Sequence, residues 1–161
     1  MNIFVVHDDP IIAARMLCNK HVVKMVLESA QILSTVVQGY DIETTYKATH
    51  VNHPCTKWAA FNTSNFNWLR EHGIALADEY TLRYNKFHRV SELFWTELLA
   101  PSAMPCGALS PFAQAMPEQY KHKDAVIAYR QYYINEKAYF CKWKYREPPD
   151  WFVLKDPYHG R

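Results

Sequence analysis

His21, Lys24 and Glu28 stand at i, i+3 and i+7, a spacing that sets all three on one face of a helix. Gln31 extends the stripe by a turn, and Lys20 shares a face with Lys24. A lysine pair beside a carboxylate is able to grip a phosphate while the carboxylate acts on the neighbouring sugar. The plain alternative is a solvated face with one helical ion pair, worth about 0.3–0.5 kcal/mol. A second group is His50-Val51-Asn52-His53-Pro54. Two histidines at this interval suit a metal, but the sequence offers no third ligand, so no metal or other cofactor is expected. Asn52 and His53 suit capping and loop hydrogen bonds, with a general base or a phosphate contact as the functional option. The third group interleaves rings and cations: Tyr129, Arg130, Tyr132, Tyr133, Lys137, Tyr139, Phe140, Lys142, Trp143, Lys144, Tyr145, Arg146 and Trp151. Cations meet phosphates, and ring faces stack on exposed bases for about 1–3 kcal/mol each. Some of these rings must pack as core, whereas Lys142 to Arg146 is too polar to be all core.

The elements that would position these groups are helical. Met1 to Val6 reads as a short extended segment. Asp9 followed by Pro10 reads as a cap and first helical residue, opening a short helix over Ile11 to Leu17. Asn19 is expected to cap a longer helix with Val22, Val23, Val26, Leu27, Ala30 and Leu33 as its apolar face, ending near Gly39. A polar loop then closes on His53. Further helices are predicted from Pro54, from Thr63 or Ser64 to about Tyr84, over Ser91 to Leu99, and from a cap at Asp124 to about Tyr139. Gly73 inside the fourth helix costs about 1 kcal/mol against alanine. Prolines and Gly107 mark a long connection from Pro101 to Pro117, and the tail beyond Pro148 shows no regular pattern.

Composition bounds the rest. A chain of 161 residues, 49% hydrophobic and with only 4 glycines, reads as one helical domain spanning residues 1–161 with a packed core. The fold class is mainly α: a compact helical bundle with a short extended N-terminal segment. A net charge of +2 does not by itself announce a nucleic-acid binder. The four cysteines form no C-x-x-C pair and read as buried or half-buried thiols. No apolar run reaches the ~18 residues of a membrane span, and the start lacks a basic region followed by an apolar stretch. The expected location is the cytoplasm, with no membrane partner. Gly-rich phosphate loops, nucleophile elbows and kinase signatures are absent, which sets those enzyme classes aside.

The stretch from Leu17 to Leu33 resembles the pyrimidine-dimer DNA glycosylases of the endonuclease V type, and related uncharacterised proteins of tailed phages. The shared positions are Asn19, Lys20, Lys24, Glu28, Gln31, Ile32 and Leu33, then Asn52-His53-Pro54 with Trp58, then Gly73 to Arg83 with Glu79 and Arg83. The likeness covers roughly the first 85 residues; beyond them Arg146 to Phe152 is faintly similar to the aromatic tail of the phage enzymes. The resemblance implies an all-α DNA glycosylase and AP lyase acting on damaged or modified pyrimidines, located in the host cytoplasm if phage-encoded. In such enzymes an α-amine, with an ordinary pKa of about 7.7–8.0, attacks the sugar C1′ and forms a Schiff base. On this reading Met1 supplies the amine and Glu28 the assisting carboxylate, with His21 at that point in a shifted alignment. Lys20, Lys24, Asn52, His53 and Arg83 complete the pocket and its phosphate contacts, and Lys142, Trp143, Lys144 and Arg146 add to DNA binding. The partner would be double-stranded DNA with a damaged or flipped base. Two alternatives stand beside it. One is a pyrimidine base- or nucleotide-modifying enzyme on the same scaffold without a Schiff base; the other is a non-enzymatic module that binds DNA or a host protein.

Overall fold

A computed structural model describes residues 1–161 and contains helices and no strand. Seven α-helices follow in order: α1 (Pro10–Met16), α2 (Asn19–Gln38), α3 (Pro54–Ala60), α4 (Thr63–Tyr84), α5 (Leu93–Thr96), α6 (Ala125–Glu136) and α7 (Asp150–Val153). Short 3-10 turns cover Glu118–Tyr120 and Ala138–Phe140. The mainly α architecture is the one the periodicity predicts. The Asp9 side chain caps α1 by accepting from the Ile11 and Ile12 amides, and Asn62 caps α4 by accepting from Asn65. Asn85 ends α4 in the left-handed conformation that asparagine tolerates.

α4 is the central element, packing against both α2 and α1. Phe66, Leu69 and Leu76 enter the core from it, and so do His72 and Arg83. Gly73 earns its place within the helix. A Cβ there would strike the ring of Phe94, so glycine lets α5 press its one fully buried ring against α4.

The extended segment Asn2–Val6 is buried, yet no strand pairs with it. Side chains satisfy several of its backbone groups instead, and the Val6 amide turns back to the Phe4 carbonyl. The Asn2 amide donates to Glu28. The Ile3 and Phe4 amides donate to Asn2 Oδ1, and the Val6 carbonyl accepts from Arg130. Phe4 lies at φ 45°, a strained conformation for a bulky residue.

Four local expectations need correction. Cys18, not Asn19, is the cap residue of α2; Asn19 is its first helical residue, and its Oδ1 serves Arg83 and the Lys144 amide. The helix expected over Ser91 to Leu99 shrinks to Leu93–Thr96, because the Glu97 and Leu98 amides both return to the Leu93 carbonyl and end it. The tail is more regular than expected. α7 buries Trp151 against Arg130, whose guanidinium lies 5.4 Å from the ring centroid. α6 also stops at Glu136, with the 3-10 turn carrying the chain through Tyr139.

Candidate active site at the chain start

The first residues run past the middle of α2, and Glu28 is the group they meet. Its carboxylate accepts the Asn2 amide at 2.8 Å, lies 3.9 Å from the Met1 α-nitrogen, and pairs with Lys24 Nζ at 3.3 Å. The Glu28 carboxylate is largely shielded from solvent and Met1 is partly buried, whereas the Lys24 side chain is 67% exposed. Water therefore screens the lysine pair far more than the terminal one.

Asn2 anchors the start of the chain. Its Nδ2 donates to the Ala115 carbonyl at 2.8 Å, while its Oδ1 accepts the two following amides. The long connection from Pro101 to Pro117 thus touches the site, and it is strapped in place elsewhere. Tyr129 Oη donates to Ala113 and accepts from Ala115, and Asn65 bonds Ser110 through both ends of its amide. No residue-type signal in the sequence pointed to Asn2; its nearness to the chain start was the only clue.

His53 sits over the same spot. As the cap of α3 it accepts the Cys55 amide on Nδ1 at 3.1 Å, so the neutral ring carries its proton on Nε2. Burial lowers its pKa below the usual histidine value, the terminal charge and His50 lower it further, and Glu28 opposes them. The Met1 backbone beside the ring acts with Glu28 to raise it. Asn52 beside it is exposed and free to meet a ligand. No group of three or more His, Cys, Asp or Glu side chains is arranged to hold a metal.

The other residues singled out from the sequence divide into those near this face and those engaged elsewhere. Lys20 is exposed and lies over the Phe140 ring, 5.1 Å from its centroid, so it continues the Lys24 edge toward the helix start. His21 is on that helix but faces inward. It is 6% exposed, stacks on Phe4 at 4.2 Å and hydrogen-bonds Tyr133 Oη at 2.7 Å. Burial, helped by Lys137 and Lys24, pushes its pKa down to about 3, so the ring is neutral. Seven residues of helix rise, about 10 Å, separate it from Glu28; it props the extended segment rather than reaching the terminal amine.

Arg83 is not a phosphate-contacting group in this fold. It is fully buried, and all its donors are engaged: the Leu17 and Arg15 carbonyls, Asn19 Oδ1, and Glu79 through Nε and one terminal nitrogen. It clips the α1–α2 corner to α4. Arg146 is drawn to the same carboxylate, at 2.6 Å from Glu79 Oε1. Trp143 is half-buried, its Nε1 donating to the Met16 carbonyl and its ring packed on Phe152. Lys142 and Lys144 stay exposed around the start of α2, with the Lys142 carbonyl accepting the Asn19 amide. Of the basic–aromatic group, Tyr129, Arg130 and Tyr133 prove to be core.

A wider cleft of about 530 Å³ opens between α1, α4 and α5, with Ile11, Arg15, Arg70, Ile74 and Trp95 among its walls, and includes none of Met1, Glu28 or His53.

Residues 1–92 match the family described as pyrimidine dimer DNA glycosylase. The match covers more than half of the chain and holds Met1, Asn2, Lys20, Lys24, Glu28, Asn52 and His53. The protein belongs to that family. Membership of a glycosylase family puts DNA in its substrate class. Comparison with curated proteins and with solved structures returns no match. In this member of the pyrimidine dimer DNA glycosylase family, Lys142 to Arg146 lie beyond the matched residues. No helix is long and apolar enough to cross a membrane.

Proposed function

We propose that the protein is a DNA glycosylase and AP lyase acting on damaged or modified pyrimidines in duplex DNA, with the Met1 amine as nucleophile and Glu28 as its carboxylate partner. One observation carries the reading: a shielded carboxylate 3.9 Å from the first nitrogen of the chain, within a family defined by pyrimidine-dimer glycosylases. In this mechanism the unprotonated amine attacks C1′ of the damaged nucleotide, and the C1′–base bond breaks with its electron pair leaving on the base. Loss of the amine proton and opening of the sugar ring give an iminium ion, which the Glu28 carboxylate stabilises. Loss of a C2′ proton then expels the 3′ phosphate and cuts the strand.

The remaining residues take supporting roles. His53, neutral and beside the Met1 backbone, helps to hold the amine in place. Lys20 and Lys24 take phosphates along the exposed edge of α2, with Asn52 as a further polar contact. Lys142 and Lys144 extend the phosphate track around the helix start. The damaged nucleotide would leave the duplex to reach the amine, a step cheapest where a lesion already weakens stacking.

The test is borohydride trapping. Protein is mixed with duplex DNA carrying one cyclobutane dimer or one abasic site, reduced, digested and mapped. A covalent adduct on the N-terminal peptide is expected. The fragment mass tells whether Met1 or, after its removal, Asn2 carries the sugar, since the Asn2 nitrogen also lies beside Glu28. Absence of any adduct refutes the lyase reading. Activity that survives acetylation of the terminal amine belongs to a base- or nucleotide-modifying enzyme without a Schiff base. DNA binding with no turnover, unchanged by Glu28→Gln, identifies a binding module.

A further inference from the structure

Two of the four free thiols, remote in sequence, meet in the fold. Cys18 is the cap residue of α2 and fully buried; Cys141 follows the Ala138–Phe140 turn and is half-buried. The two backbones are clamped on either side of the sulfurs. The Asn19 amide donates to Lys142 at 2.8 Å, the Lys144 amide to Asn19 Oδ1 at 3.0 Å, and Trp143 Nε1 to Met16 at 3.0 Å. These ties bring Cys18 and Cys141 next to each other, and each is the largest influence on the other's thiol.

The surroundings favour a thiolate on one sulfur. Neighbouring Cys141 is the largest influence on Cys18, and Tyr133 and the backbone at His21 and Lys20 add to it. Together they outweigh burial and bring the Cys18 thiol down to about 6. Cys141 is held in its protonated form by the same contact. The other two cysteines contrast with this pair. Burial pushes Cys55 up to about 12, and Cys106 is exposed with no cysteine partner.

We propose that Cys18 and Cys141 form a reactive dithiol that closes reversibly to a disulfide, a redox-modification site at the start of α2. The oxidant is a low-molecular-weight disulfide such as glutathione disulfide, entering from the half-buried Cys141 side. With its proton passed to Cys18, Cys141 attacks one sulfur of the oxidant, forming a mixed disulfide and releasing one thiolate, which then takes that proton back from Cys18. The Cys18 thiolate then attacks Cys141 Sγ and expels the second. The thiol–thiolate pair is oxidised to the disulfide, the small disulfide is reduced to one thiol and one thiolate, and the pair's single proton leaves on that thiol. Closure fastens the segment bearing Lys142 and Lys144 covalently to α2. A reducing cytoplasm would keep the pair open and reserve closure for oxidising episodes.

The test uses the whole protein with Cys106→Ser, so that an exposed thiol does not confuse the count, and needs no DNA. Protein is equilibrated with glutathione buffers of rising disulfide content, quenched, alkylated, digested and mapped. The expected result is a Cys18–Cys141 cross-linked peptide, an unmodified Cys55, and full reversal by dithiothreitol. Adding Cys18→Ser, a residue well suited to a helix cap, should leave Cys141 as the glutathione mixed disulfide with no cross-link. The proposal is overturned if the parent protein accumulates that mixed disulfide without cross-linking. It is equally overturned if the cross-link forms only in denaturant.

Discussion

Replacing Glu28 with glutamine removes one charge from the site and little else. Glutamine keeps the volume and an oxygen to accept the Asn2 amide. It loses the charge that faces the Met1 nitrogen at 3.9 Å and Lys24 at 3.3 Å. The lysine pair is exposed, so its loss counts for only about 0.3–0.5 kcal/mol. For the terminal pair, unit charges at 3.9 Å in an effective dielectric of about 20, as near a protein surface, interact by about 4 kcal/mol. If an iminium ion forms at that nitrogen, the same attraction stabilises it, and losing it slows the step by about three decades. The assay is single-turnover cleavage of a duplex with one defined dimer, run beside borohydride trapping and a binding titration. Glu28→Gln is expected to cleave about a thousandfold more slowly while binding DNA as tightly as before or tighter, because a negative charge has left a phosphate-facing surface. Circular dichroism should show the fold intact. A rate within tenfold of the parent refutes the electrostatic argument, as does a loss that merely follows weakened binding.

Acid should destabilise the fold through its buried histidines. Burial lowers His21 to about 3 and His72 to about 4, against 6.5 when unfolded. The unfolded chain then binds more protons between about 6.5 and 4, and stability falls as pH drops through that window. The slope should approach about 2.7 kcal/mol per pH unit for two such rings; a urea midpoint unchanged from about pH 7 to about pH 5 contradicts it. Arg83→Met should cost about 3 kcal/mol in urea unfolding, because it leaves buried Glu79 with Arg146 alone and takes the donor from the Leu17 and Arg15 carbonyls; a loss below about 1 kcal/mol would show the clip to be dispensable. Lys20→Ala and Lys24→Ala should each lower the slope of log affinity against log salt by about 0.9 without changing lesion preference. An unaltered slope removes that lysine from the phosphate track.

Local chemistry was enough to read much of this protein. The Asp9–Pro10 start, the apolar spacing from Val22 to Leu33 and the length of α4 all follow from interactions within a few turns, which sequence displays directly. The placement of Glu28 on a stripe with Lys24 follows in the same way. Periodicity could not say which side of a stripe faces inward at each turn, so His21 and Lys24, three residues apart, have opposite fates. Nor could it show that Arg83 spends its guanidinium on three neighbouring segments, since an internal arginine and a DNA-binding one are identical as letters. The meeting of Met1 with Glu28, and of Cys18 with Cys141, was decided only by tertiary packing. Each joins groups whose separation along the chain is bridged by the docking of whole elements, and no local energy term records that docking.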